Sequence, residues 1–213
     1  MNRIPSDATS SSTTPVVRIL LALNIALFLV ELLRPEALLG RFALWPLGVD
    51  GGTASFGMQP TFEPWQLLSY AFLHGGWMHL LLNMYALWLF GVPMERTWGS
   101  FRFLVFYLVC VVGAGLTQLL ATLHSAEAYP TIGASGGVFG ILLAFGMTYP
   151  NVRLMLLFPP MVLRAKWFVI LYGAVELVFG ITGTQAGVAH FAHLGGMLFG
   201  YLLIRYWRSG SRA

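Results

Sequence analysis

The chain reads as an all-α, polytopic membrane protein of six transmembrane helices with a short fourth, on three observations. Over 213 residues it is 57% hydrophobic and only 9% charged, with a mean hydropathy of +0.74, too apolar for a water-soluble globule. Six apolar segments recur along it, and the basic residues stand singly between them. One segment, opened by glycines and a lone serine, is too short to cross a bilayer.

A spanning helix needs about 20 mostly apolar residues. The first segment, Val16 to Leu33, follows a Ser/Thr-rich head that contains Asp7, and no small-residue cleavage site follows it. It reads as an anchor and not as a cleaved signal. From Arg34 to Trp65 runs a long loop broken by Pro35, Pro46, Gly51, Gly52, Pro60 and Pro64. Its Trp45, Phe56, Phe62 and Trp65 are expected to rest at the membrane interface. The second to sixth segments are Trp77 to Met94, Phe101 to Leu123, Ser135 to Tyr149, Trp167 to Ile181 and Val188 to Tyr206.

With six spans both termini share a side. Cytoplasmic termini put Arg3, Arg18, Arg96, Arg102, Arg153, Arg164, Lys166, Arg205, Arg208 and Arg212 inside, and only Arg34 and Arg41 outside. That is the positive-inside bias. Residues 1–15 and 208–213 are then cytoplasmic tails flanking a membrane domain over 16–207. Orientation also accounts for the net charge of +4, which forms no stripe suited to nucleic acid. The single Cys110 forms no intrachain disulfide. No transporter-like repeat and no separate soluble domain is visible.

The fourth segment opens in TIGASGGVFG, residues 131–140. Pro130 and Gly133 disfavour helix upstream, so the helix is expected to start at Ser135. From there to Tyr149 is about 15 residues, roughly 22 Å, against a hydrocarbon core of about 30 Å. Irregular backbone at membrane depth must be buried in protein or face water. Ser135 would therefore lie at the floor of a cavity, in a helix's first turn, where free N–H groups favour developing negative charge. Two readings stand at this point. Ser135 is an N-cap among glycines (133, 136, 137 and 140) that let helices pack closely, or it is a nucleophile, which needs a base.

His124 sits in a short outer loop, whereas His74, His79, His190 and His193 lie in or beside apolar helices, where an ionisable group reads by default as functional. In HGGWMHLLLN, His79 and Asn83 fall on one helix face, two N–H donors a turn apart. In AHFAHLGGMLFG, Gly196 and Gly200 continue the stripe below His193. Any one of these histidines could be a core residue bonded to a carbonyl. Two His pairs could also bind zinc or iron, but such sites usually add carboxylates, and only Glu176 lies well inside an apolar segment. Ser135, His193, His79 and Asn83 are complementary as nucleophile, base and oxyanion donors.

These residues resemble a known family. G-A-S-G at 133 to 136, H-x-x-x-x-H-x-x-x-N at 74 to 83 and A-H-x-x-G-x-x-x-G at 192 to 200 are together similar to the motifs of the rhomboid intramembrane serine proteases. E-R-x-x-G at 95 to 99 matches the stretch after that family's second helix. The motifs fall in segments two, four and six, and the resemblance covers about residues 16 to 207.

The resemblance implies a six-helix core in which Ser135 attacks a scissile carbonyl and His193 takes its proton. His79, Asn83 and the Ser135 backbone N–H would hold the oxyanion. Phe139, where the family often has tyrosine, would lie against the His193 ring, and packing would replace the third acid of a soluble triad. Gly133, Gly136, Gly196, Gly200, His74 and His190 would support the site, and Gly200→Val is expected to separate the fourth and sixth helices and lower activity with the fold surviving. Glu176 is expected to be a protonated carboxyl bonded within the bundle. The fifth segment, with YGAVELVFGITG, would be a lateral gate beside a short second helix.

No metal and no other cofactor is expected. The implied partners are transmembrane segments of other proteins, met within the lipid bilayer and cut near outer ends that unwind easily. A catalytically dead binding protein of the same fold would lack Ser135 or His193, and a transporter would show coupling carboxylates. A bacterial inner membrane fits better than an organelle, because the first residues make a poor transit peptide.

Overall fold

The computed structural model describes residues 13–47, 61–123, 129–156, 160–183 and 189–210. Six long helices alternate in direction: α1 (Pro15–Leu33), α4 (Trp77–Trp98), α5 (Ser100–Ala121), α6 (Ser135–Thr148), α7 (Ala165–Thr182) and α8 (His190–Gly210). Two short helices, α2 (Pro35–Phe42) and α3 (Gln66–Ser69), the latter continued by a 3-10 turn at Tyr70–Phe72, lie between α1 and α4.

Each of the six apolar segments carries one long helix. Four of them, α1, α4, α5 and α7, are long and apolar enough to cross a membrane. The 14 residues of α6 reach about 21 Å, short of a hydrocarbon core. The 21-residue α8 is long enough but carries His190, His193, Arg205 and Arg208, and it falls outside those four. The protein is thus a polytopic, mostly helical membrane protein.

Two details differ from expectation. The second long helix is not short: α4 has 22 residues, as many as α5, and continues through Pro93. A small antiparallel hairpin, β1 (Arg153–Leu156) with β2 (Met161–Arg164), joins α6 to α7. Eight residues with no strong alternation of polar and apolar side chains give no strand signal in sequence.

One end of the bundle is closed by Glu95, near the end of α4. Its carboxylate accepts the backbone N–H groups of Val16 (3.0 Å) and Val17 (2.8 Å) and the Ser100 hydroxyl (2.7 Å). Helix α1 has no side-chain cap of its own, so α4 satisfies its orphan donors. Gly99, at φ +78°, turns α4 directly into α5. These two contacts give the E-R-x-x-G stretch its physical meaning. Arg18, Arg96, Arg102, Arg153, Arg164, Lys166, Arg205 and Arg208 lie toward this end, and Arg34 and Arg41 toward the other. Arg3 and Arg212 lie outside the described residues.

At the other end the loop after α1 folds onto the protein. Trp45 is buried, not laid at an interface: its indole N–H donates to the Leu39 carbonyl and its backbone N–H to Gln66 Oε1, and it forms a small core with Ala43 and Leu73. Trp65 remains half exposed, while Phe56 and the breakers Gly51, Gly52 and Pro60 lie outside the described residues, as does His124.

Helix α6 is the bundle's centre. Ten of its 14 residues are buried, packed by α4, α5, α7 and α8. The outer helices turn apolar side chains outward, among them Leu29 and Leu33 of α1, Leu81 and Trp88 of α4, and Ile170 and Val178 of α7. A lipid surround accounts for that pattern.

Candidate active site

Chain geometry sets the serine first. The segment entering α6 is irregular, but its backbone groups are met. Thr131 exchanges two hydrogen bonds with Leu44 (2.9 and 3.0 Å), and the Gly133 N–H donates to the Tyr70 carbonyl at 2.9 Å. This is buried irregular backbone satisfied by protein. Gly133 sits at φ +121°, and a Cβ there would come within 2.7 Å of His79 Cε1, so only glycine fits.

Ser135 is the first residue of α6. The N-cap is Ala134, with no side-chain capping bond. The serine hydroxyl is thus not spent as a cap. Its Oγ lies 2.8 Å from His193 Nε2 on α8, a nucleophile to base distance. The two side chains come from helices that touch along glycine. A Cβ on Gly196 would run into the Gly136 carbonyl, one on Gly140 would meet the Gly196 carbonyl at 3.1 Å, and one on Gly200 would lie 3.5 Å from Gly140 Cα and 2.9 Å from the Phe106 ring. Small residues at a helix crossing permit this approach.

The His193 ring is held from its face as well. Phe139, one turn after Ser135, stacks on it with centroids 4.2 Å apart and planes within 4°. Tyr172 of α7 packs on the Phe139 ring at 4.9 Å, tilted from it by 42°.

On α4, His79 Nδ1 accepts the Gly75 N–H at 3.3 Å. That bond fixes the tautomer with hydrogen on Nε2, the nitrogen beside Gly133, on the Ser135 side. Asn83 donates one N–H to the His79 carbonyl at 2.9 Å and keeps its second amide hydrogen. His74 is buried, its ring 5.1 Å from that of His79, and its backbone N–H donates to Glu31 of α1 at 2.9 Å. Among the described residues neither His74 ring nitrogen has a hydrogen-bond partner.

The expectation that packing alone orients His193 does not hold. Glu176 of α7 presents Oε2 at 2.8 Å from His193 Nδ1 and 2.6 Å from His190 Nδ1, and all three residues are buried. The sequence singled out Glu176 as the carboxylate well inside an apolar segment but gave it no partner, because nothing in a 3.6-residue period says which neighbour a helix face meets. The donor atoms of these three residues lie within 4.8 Å of one another, which would suit a metal ion by proximity. Two of the separations, however, are hydrogen-bond lengths, whereas ligands about 2.1 Å from a tetrahedral ion stand about 3.4 Å apart.

Helix α7 packs on α8, on α6 and against the hairpin, with hardly any contact to α4.

Comparison with known proteins shows the family. The Rhomboid domain family model matches residues 61–209. RHOMBOID-like protein 4 of Arabidopsis thaliana is 36% identical over 141 residues, 66% of this chain and 33% of that protein. Rhomboid protease GluP of Bacillus subtilis (strain 168) is 35% identical over 139 residues, 65% of this chain and 25% of that one. Rhomboid protease AarA of Providencia stuartii is 28% identical over 165 residues, 71% and 59% of the two chains. The chain thus spans less than two thirds of the length of each of these relatives.

Proposed function

Because the chain belongs to the rhomboid family, we propose that it is an intramembrane serine endopeptidase that hydrolyses peptide bonds in or near the outer ends of transmembrane segments of other membrane proteins. The observation that carries this reading is the 2.8 Å approach of Ser135 Oγ to His193 Nε2, at the start of a helix too short to span.

In the first step the Ser135 oxygen attacks the scissile carbonyl carbon while its proton passes to His193 Nε2. The carbonyl electrons move to oxygen, and the resulting oxyanion is met by the Ser135 backbone N–H, the His79 Nε2–H and the free amide hydrogen of Asn83. The oxyanion then re-forms the carbonyl as the C–N bond breaks, and His193 gives its proton to the leaving amine. Water repeats the sequence on the acyl-enzyme, His193 again taking and returning one proton. Preorganisation supports the assignment: Phe139 holds the imidazole by its face, and the α6 N-terminus directs unfilled N–H groups toward the developing charge.

The substrate must reach the serine from the lipid and unwind there, since a helix hides its peptide bonds. The sparse contact between α4 and α7 supports entry between these two helices. The positive-inside bias supports a cytoplasmic side for the basic end, with tails at 1–15 and 208–213 flanking a membrane domain over 16–207, and a bacterial inner membrane is the setting this reading takes. The fluorophosphonate probes that label active serines test the chemistry. Ser135 is expected to be the labelled residue by mass spectrometry, with no labelling in His193→Ala. Absence of labelling in wild type would favour a family member that binds membrane clients without cutting them.

A further inference from the structure

We infer that Glu176 is the positioning residue for His193, and that His190 holds Glu176 in place, so that a buried hydrogen-bond relay crosses from α7 to the reacting serine. The inference rests on the protease reading and adds to it a member that the Ser135 and His193 pair does not need on paper.

Consider which nitrogen of His193 carries hydrogen. An imidazole held only by a stacked ring has no reason to prefer one tautomer. A general base for Ser135 needs a lone pair on Nε2 and therefore hydrogen on Nδ1. Glu176 Oε2, 2.8 Å from Nδ1, accepts that hydrogen as an ionised carboxylate, not as the protonated carboxyl expected from its apolar segment, and leaves the Nε2 lone pair facing Ser135 Oγ at 2.8 Å. As the serine proton arrives on Nε2, His193 becomes cationic with both nitrogens protonated. The carboxylate beside Nδ1 stabilises that cation without taking a proton itself. The balance is one proton moved from Ser135 to His193, later to the leaving amine, and none to Glu176.

A buried carboxylate with one partner would be costly. His190 supplies the second. It lies three residues before His193, on the same face of α8, and its Nδ1 meets the same Oε2 at 2.6 Å. With both Nδ1 atoms donating to one oxygen, the carboxylate is fixed from two sides. The Phe179 ring, edge-on to His190 at 5.7 Å, bounds that ring in turn.

Helix α7 reaches α8 closely enough because glycines flank the glutamate. A Cβ on Gly173 would meet Met197 Cε at 3.2 Å, and one on Gly180 would meet His190 Cβ at 3.3 Å. Gly173, Glu176 and Gly180 fall on one helical stripe. The sequence thus builds a close crossing around its carboxylate.

The test uses the full-length protein in liposomes with a tagged single-pass substrate, comparing wild type, Ser135→Ala, Glu176→Gln, Glu176→Ala and His190→Gln. Four quantities are read: kcat, KM, thermal unfolding and the His193 ring tautomer by 15N NMR. Losing a histidine-orienting carboxylate in soluble serine proteases lowers kcat by up to about 10⁴-fold. Glu176→Gln is expected to lower kcat at least about 30-fold with KM within about twofold, and Glu176→Ala to lose more. His193 is expected to be the Nδ1–H tautomer in wild type and a mixture in Glu176→Ala. The inference is overturned by Glu176→Gln cleaving as wild type does, or by an unchanged tautomer in Glu176→Ala. It is also overturned if the loss tracks unfolding alone, or if a chelator abolishes wild-type cleavage and zinc restores it. The tautomer is read without turnover, so an inactive wild type would sink the protease reading while leaving the Glu176 contact testable.

Discussion

Gly133 decides more at the scale of single residues than its size suggests. At φ +121°, with a Cβ position 2.7 and 2.8 Å from two atoms of the His79 ring, it lets the chain pass between His79 and the serine. Gly133→Ala is therefore expected to destabilise the protein by about 1–3 kcal/mol. Turnover should fall at least about tenfold, since displaced catalytic groups lose rate steeply. Thermal unfolding and cleavage of the same preparation measure both, and an alanine variant indistinguishable from wild type would contradict the argument. At this scale the sequence made much of the candidate site legible. Ser135, His79, Asn83 and His193 stand out because hydroxyl, imidazole and amide groups are expensive in apolar helices, and the structure brings Ser135, His79 and His193 into one locality, with Asn83 one turn along α4 and bonded to the His79 carbonyl. Phe139 falls on the His193 ring because four residues is one turn. Glu176 was legible as a position and illegible as a partner: its contact depends on how α7 is rotated against α8.

Between elements, the crossing of α6 and α8 is the tightest joint. A Cβ on Gly196 would enter the Gly136 carbonyl, a backbone atom that cannot rotate away, whereas one on Gly200 meets Phe106 and Cys110 side chains, which can adjust in part. Gly196→Ala is thus expected to cost more than Gly200→Ala, toward the upper end of about 1–3 kcal/mol for overpacking. It should also separate Ser135 from His193 and lower labelling of the serine by a fluorophosphonate. Equal unfolding midpoints for the two variants would contradict the geometry. Helix existence was legible at this scale because each span is a long apolar run. The start of α6 at Ser135 was legible too, because proline and glycine precede it. The length of α4 was not, since Glu95 and Arg96 read as the end of a span although the helix continues to Trp98. The β1–β2 hairpin carries no periodic signal, and burial of Trp45 follows from a tertiary bond to Gln66 that no local pattern announces.

The whole molecule has two unlike ends. Glu95 ties α1, α4 and α5 at the end rich in arginine, while Ser135, His193, His79 and Glu176 gather toward the other. The lone lysine, Lys166, opens α7 at the basic end. In sealed cells a membrane-impermeant amine reagent is expected to spare Lys166 and to label it once the membrane is opened, read from the peptide mass. Labelling in intact cells would invert the topology. Such a topology sets the serine below one membrane face, within reach of a substrate's outer end. The most direct test of that account is cleavage of a tagged single-pass substrate by the purified protein in liposomes, with Ser135→Ala and His193→Ala alongside. Cleavage by wild type and by neither variant is the predicted result. Cleavage by all three alike, or by none under conditions where the fold is intact, would contradict it.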